Sequence, residues 1–109
     1  MKIISELCQN HNGDRSILES MIKAAAVDSD ILKIQSIKAD TLTKREEYEE
    51  FRPYEGEYKR LKGIELSWED EKFFIDKCKE HGVESMTTLF TPNHTEYFNS
   101  LGYDNLKLS

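Results

Sequence analysis

Apolar residues fall along this chain at two spacings, one near every second residue and one near the helical period, which mark out strand-like and helix-like blocks. Lys2 to Gln9 is short and apolar-rich and stops at Asn10-His11-Asn12-Gly13, a polar cluster with Gly that reads as a turn. From Asp14, a favourable N-cap, Ile17, Leu18, Met21, Ile22 and Ala25 recur on one helical face. Asp28-Ser29-Asp30 closes that helix, and Ile31 to Gln35 reads as a second strand. Lys38 to Gly63 is dense in charge, with Tyr48, Phe51, Tyr54 and Tyr58 interleaved, and reads as a long connection carrying short helical pieces. Connections of that length either cover a substrate or run through solvent.

Ser67 opens the next helix, with Asp70 at capping-box spacing, and Phe73, Phe74, Lys77, Cys78 and His81 follow before Gly82 stops it. Val83 to Phe90 reads as a third strand. Thr91 is the N-cap of another helix with Pro92 at its first position; Tyr97, Phe98 and Leu101 are its apolar face, and Gly102 ends it. Phe73, Phe74, Tyr97 and Phe98 are expected in the core. Asn105 to Ser109 reads as a fourth strand. Strands alternating with helices imply parallel pairing through right-handed crossovers. A doubly wound sheet and a (β/α)8 barrel both fit that order, and polar residues gathered at the strand ends favour the barrel.

Composition narrows the partners. A net charge of -6 and a pI near 5.1 argue against nucleic acid or an anionic membrane, since both need a basic face. Fifteen Lys and Arg still leave enough cations to line a pocket for an anion. Cys8 and Cys78 stand in different predicted elements, so neither a disulfide framework nor a zinc site is expected. No run approaches the ~20 apolar residues of a membrane span, and the first residues lead straight into a strand with no signal-peptide pattern. A cytoplasmic setting is expected.

Candidate chemistry lies at the strand ends. Strand one carries Glu6 and runs into Asn10 and His11; strand two carries Lys33 and Gln35; strand three carries Thr87 and Thr88; strand four carries Lys107. Alternation puts Lys33, Gln35 and Ile37 on one face of the second strand and Leu32, Ile34 and Ser36 on the other. An unpaired ammonium inside an apolar strand costs several kcal/mol, so lysines on parallel strands point to an anion site. Glu6 is also placed to pair with Lys33. Asn10 and His11 are read as shaping the turn and the site, not as proton carriers.

The segments Glu6-Leu7-Cys8-Gln9-Asn10-His11-Asn12-Gly13, Leu32-Lys33-Ile34-Gln35, Leu66-Ser67-Trp68-Glu69-Asp70, Thr88-Leu89-Phe90 and Leu106-Lys107-Leu108-Ser109 resemble, in order, the N-terminal domain of the sialic acid (N-acetylneuraminate) synthases. The legionaminic, pseudaminic and spore-coat polysaccharide synthases share the pattern. The resemblance implies an α/β fold that is part of a (β/α)8 TIM-type barrel: residues 1–109 would be its incomplete N-terminal part, the first four parallel strands and intervening helices. It implies condensation of phosphoenolpyruvate with an N-acetylated amino sugar such as N-acetylmannosamine, giving a nine-carbon 2-keto acid and phosphate. By position, Lys33, Thr88 and Lys107 match phosphoenolpyruvate-binding residues, and Glu6 and Gln35 match polar groups at the reacting centre and the sugar. A divalent metal, Mn²⁺ or Mg²⁺, is expected for the full-length family. Its histidine ligands belong to the second half of the barrel, so this chain supplies none, and His11, His81 and His94 are not substitutes.

Three positions depart from the family. Cys8 stands where Gly is usual, Asp28 lies near a usual Gly that closes the first helix, and Leu89 stands where Pro is usual. A complete barrel needs about 250 residues, so this chain is expected to be inactive alone. An exposed parallel edge favours a homo-oligomer or a complementary half-barrel chain. The alternative is a non-catalytic barrel fragment, an anion-binding or assembly module.

Overall fold

A computed structural model describes residues 1–108, apart from the side chain of Tyr48. Strand β1 is Ile4–Cys8, helix α1 Arg15–Ala25 and strand β2 Ile31–Ser36; α2 is Tyr54–Ile64 and α3 Trp68–Glu80. Strand β3 (Glu84–Leu89), helix α4 (Thr95–Leu101) and strand β4 (Asn105–Leu108) complete the chain, with short 3₁₀ turns at Ala39–Thr41, Glu46–Tyr48 and Pro92–His94. The four strands form one sheet in the order β1-β2-β3-β4, all parallel. Each crossover carries helix, so this is an arc of α/β barrel architecture, with β1 and β4 as its edges. The fourth-strand motif extends to Ser109, which lies outside the described residues.

Local chemistry starts and stops the helices as expected. The Asp14 carboxylate accepts from the amides of Ser16 and Ile17, and the Ser67 hydroxyl from that of Asp70. Each such cap stabilises by about 1 kcal/mol. The reciprocal half of the capping box is missing, because the Asp70 carboxylate instead accepts from the Arg15 guanidinium at 2.6 Å. That bond ties α3 to α1.

One face of the sheet packs on the helices. Leu32 and Ile34 of β2 and Leu89 of β3 meet Leu18 and Ile22 of α1, Phe74, Ile75 and Cys78 of α3, and Phe98 of α4. Burial pushes the Cys78 thiol up to about 12, so it is a packing group, and both cysteines are free. Among the described residues no helix is long and apolar enough to cross a membrane.

Three expectations need correction. The connection from Lys38 to Gly63 contains a full eleven-residue helix, α2, rather than short pieces. Its stripe is weak, since Leu61 is its buried side chain and its surroundings are charged. Tyr97 is not core: it is 46% exposed and lies against Trp68 with ring centroids 4.2 Å apart. Phe73 is half-buried, with Arg15 and Lys77 over its ring. The apolar stripe of α3 runs through Phe74, Ile75 and Cys78 instead.

Candidate functional site

Sheet register decides which strand residues meet. Glu6 pairs with Lys33, Lys33 with Met86, and Met86 with Asn105; one step further along, Gln35 pairs with Thr88 and Thr88 with Lys107. Paired residues of a parallel sheet share a face. Leu32 and Ile34 face the helices, so Glu6, Lys33, Gln35, Thr88 and Lys107 all lie on the opposite, inner face, in two successive rows at the carboxyl ends of the strands. Lys33 and Lys107 are on the same side.

Within that face the Lys33 ammonium donates to the Glu6 carboxylate at 2.7 Å, and its side chain is only 9% exposed. Thr88 is buried, and its hydroxyl has no partner among the described residues. Lys107 is exposed and makes no ion pair among the described residues. The arrangement is an acid-supported ammonium, an unengaged hydroxyl, an amide and a second ammonium on adjoining strands. Such a set suits a small ligand with more than one negative charge.

The β1–α1 turn closes one side. A bulge interrupts β1 between Glu6 and Cys8, and Cys8 takes φ +53°. That left-handed conformation is one Gly adopts freely, whereas a Cβ in this region costs about 1–2 kcal/mol. Replacing Cys8 with Gly is therefore expected to stabilise the chain by about 0.5–1 kcal/mol after allowing for the looser unfolded chain; a urea melt checks it. Asp28 is not left-handed: α1 stops at Ala25 and hands over through a right-handed Ala26. Leu89 is a buried core residue. Gly13 lies so close to the α2–α3 connection that an added Cβ would stand 3.3 Å from the carbonyls of Gly63 and Glu65.

Asn10 is exposed at this turn, whereas His11 is 1% exposed. His11 Nδ1 accepts from the Gly13 amide at 2.9 Å, which assigns the proton to Nε2, and Nε2 has no partner among the described residues. Burial holds this imidazole below its ordinary pKa of 6.5; Asp70 opposes the shift and Lys38 adds to it. The native state thus binds the proton less readily than the unfolded chain. Stability carried by the neutral ring is complete above about pH 6.5 and is lost as pH falls through the lower native value. His11→Asn keeps an acceptor for Gly13, and in urea unfolding at several pH values it is expected to flatten the stability slope below pH 6.5.

Sequence reasoning passed over the reverse side of the same strands. Glu71 of α3 is fully buried among sheet residues. Its carboxylate accepts from the Ser36 hydroxyl at 2.8 Å, the Lys38 ammonium at 2.9 Å and the Tyr103 hydroxyl. Because the Ser36 proton goes to Glu71, Ser36 accepts from the Thr87 hydroxyl, whose single proton is also within reach of the Ile34 carbonyl at 3.1 Å. Burial first, and then Glu71, hold the Tyr103 phenol well above its ordinary pKa, so it stays a donor. A signal was available: Glu71 is in helical phase with Phe74, Ile75 and Cys78, where an acid demands a partner.

Lys38 continues outward. Its ammonium lies 4.4 Å from the centre of the Trp68 ring and also donates to the Leu66 carbonyl. A cleft of ≈ 450 Å³ opens beside it, lined by Lys38, Glu65, Trp68, Glu69 and His94 among others. His94 packs edge-on to Trp68, and His81 is exposed at the end of α3. Among the described residues no three His, Cys, Asp or Glu side chains gather as a metal site. Glu6 is already engaged by Lys33. These residues do not make a divalent-ion site.

Residues 21–109 match the model of the NeuB family. The chain is 34% identical over 113 aligned residues to an N,N'-diacetyllegionaminic acid synthase of Legionella pneumophila, covering 97% of this chain and 32% of that protein. Its fold superposes on an N-acetylneuraminic acid (sialic acid) synthetase from Leptospira borgpetersenii with a TM-score of 0.79 at 19% identity, covering 99% of this chain and 36% of that one. A spore coat polysaccharide biosynthesis protein from Bacillus subtilis matches with a TM-score of 0.71 at 23% identity, over 98% and 28% of the two chains. The chain therefore spans about a third of the length of these proteins.

Proposed function

The chain belongs to the NeuB family, and from that premise we propose that it forms the first four strands of a barrel that condenses phosphoenolpyruvate with an N-acetylated amino sugar. N-acetylmannosamine or a related sugar is the acceptor, and the product is a nine-carbon 2-keto acid for polysaccharide biosynthesis. The observation that carries this reading is the register that sets Lys33, Gln35, Thr88 and Lys107 on one face at the strand ends.

In this reading Lys33 and Lys107 hold the phosphate and carboxylate of phosphoenolpyruvate as point charges. The buried Thr88 hydroxyl donates to the same anion. Glu6 keeps the Lys33 ammonium in place and stands beside the reacting carbons, while Gln35 orients the sugar. The methylene carbon of phosphoenolpyruvate forms the new bond to the sugar aldehyde, water adds at C2, and C–O cleavage releases phosphate. Asn10 and His11 shape the turn beside this site. A divalent ion, Mn²⁺ or Mg²⁺, would supply Lewis-acid polarisation of the aldehyde, with its ligands coming from outside these residues.

The remaining strands would come from further barrel sequence, a complementary chain or a second copy meeting the edges at β1 and β4. The setting is cytoplasmic, with no nucleic acid or membrane as partner. Phosphoenolpyruvate is titrated into ¹⁵N-labelled chain, and 2-keto acid is assayed with N-acetylmannosamine and Mn²⁺. Saturable shifts at Lys33 and Thr88 without turnover are expected from the 109 residues alone, and turnover once the rest of a barrel is supplied. No saturable binding overturns the site. Binding that never leads to turnover in the completed barrel favours the second reading, an anion-binding or assembly module, for which the two sheet edges speak.

A further inference from the structure

We propose that Glu71, on the far side of the sheet from the candidate site, is a positioning residue that sets the aim of Gln35 and Thr88. The inference rests on the functional reading only where ligand affinity is concerned; its geometric part stands alone.

Parallel sheets in this architecture normally meet their helices through apolar side chains. Here α3 sends a carboxylate into that layer, with no exposure, and three donors, two from the end of β2 and one from the α4–β4 connection, converge on it. Ser36 ends β2, Lys38 follows it, and Tyr103 lies between α4 and β4. Ser36 passes the contact on to Thr87 in β3. Two of the tethered residues are immediate chain neighbours of inner-face candidates: Ser36 follows Gln35, and Thr87 precedes Thr88.

Successive strand side chains point to opposite faces. Holding Ser36 and Thr87 on the helix side therefore fixes the roll of β2 and β3, and with it the direction in which Gln35 and Thr88 project inward. Gln35 and Thr88 are themselves register partners, so one buried carboxylate aligns a row of the site. An apolar residue at position 71 would fill space but would not select one roll of the strands, because dispersion contacts are not directional.

The test is Glu71→Gln, which keeps the size and one carbonyl acceptor while removing the charge. Resonances of the Gln35 side-chain amide and the Thr88 methyl are followed in the 109-residue chain, with the methyls of the exposed Val27, beyond the end of α1, as controls. The inner-face signals are expected to move or broaden while the controls stay fixed, and the phosphoenolpyruvate Kd is expected to rise about tenfold. Shifts confined to Ser36, Lys38 and Tyr103, with Kd unchanged, would overturn the proposal. Should Glu71→Gln not fold, Tyr103→Phe deletes a single donor: smaller shifts at Gln35 and Thr88 support positioning, and none overturns it. If the unaltered chain binds no phosphoenolpyruvate, the functional reading fails while the resonance comparison still decides the role of Glu71.

Discussion

Lys33→Met is expected to weaken phosphoenolpyruvate binding by about 100-fold, close to 3 kcal/mol. The ammonium is nearly buried, so its attraction for an anion is poorly screened by water. Its loss also leaves Glu6 without its cation, and a bare carboxylate then faces the incoming anion. Glu6 is 41% exposed on its side chain, so it can rehydrate, and the folded state should tolerate the change. Affinity and stability should therefore separate: calorimetric titration at fixed ionic strength shows the loss, while the melting temperature moves by only a few degrees. Lys107→Met, at an exposed position, should cost only about fivefold. A Kd for Lys33→Met within threefold of the unaltered chain would remove this lysine from the site.

Glu71→Ala should have the largest effect on stability. Removing one partner of a buried pair costs about 3–5 kcal/mol, which for a domain of this size lowers the melting temperature by roughly 12–25 °C. The reason is less the loss of attraction than what stays behind. Lys38 is only 12% exposed and would be left without its carboxylate, and the Ser36 and Tyr103 hydroxyls would lose their acceptor. Changing two of the three donors as well tests that logic: Glu71→Leu combined with Lys38→Met and Tyr103→Phe removes both charges and the Tyr103 hydroxyl, while the Ser36 hydroxyl can turn to Thr87. It should recover most of the lost stability. A triple variant as unstable as the single one would mean that the cost comes from packing.

Elements with strong periodicity and clear punctuation were legible in the sequence. Asp14 and Ser67 cap as their chemistry requires, whereas Thr91 caps only the 3₁₀ turn Pro92–His94 and α4 starts later, after His94, with no side-chain cap; alternation in β2 assigned the two faces of that strand. Helix α2 was not legible, because its contacts come from scattered residues and polar links such as Tyr58 to Asp40 at 2.6 Å. Its weak stripe is sustained by tertiary contact and not by pattern. For the site, Lys33 and Glu6 were readable as a pair, since register and charge agree. The cluster around Glu71 was not, because its members lie in four separate places along the chain and meet only after folding. Cys8 was noticed as a departure from Gly, but its left-handed geometry became visible only with the bulge.

The strict alternation in β2 has a consequence for how the gene can change length. One codon gained or lost inside Ile31–Ser36 would exchange the two faces downstream of it, pressing an ammonium into the oily layer and turning aliphatic groups towards the substrate side. The same indel between residues 42 and 53 would lengthen or shorten a ribbon of chain whose regular structure is one 3₁₀ turn, Glu46–Tyr48. Length variation among relatives should therefore collect in that ribbon and spare the strand.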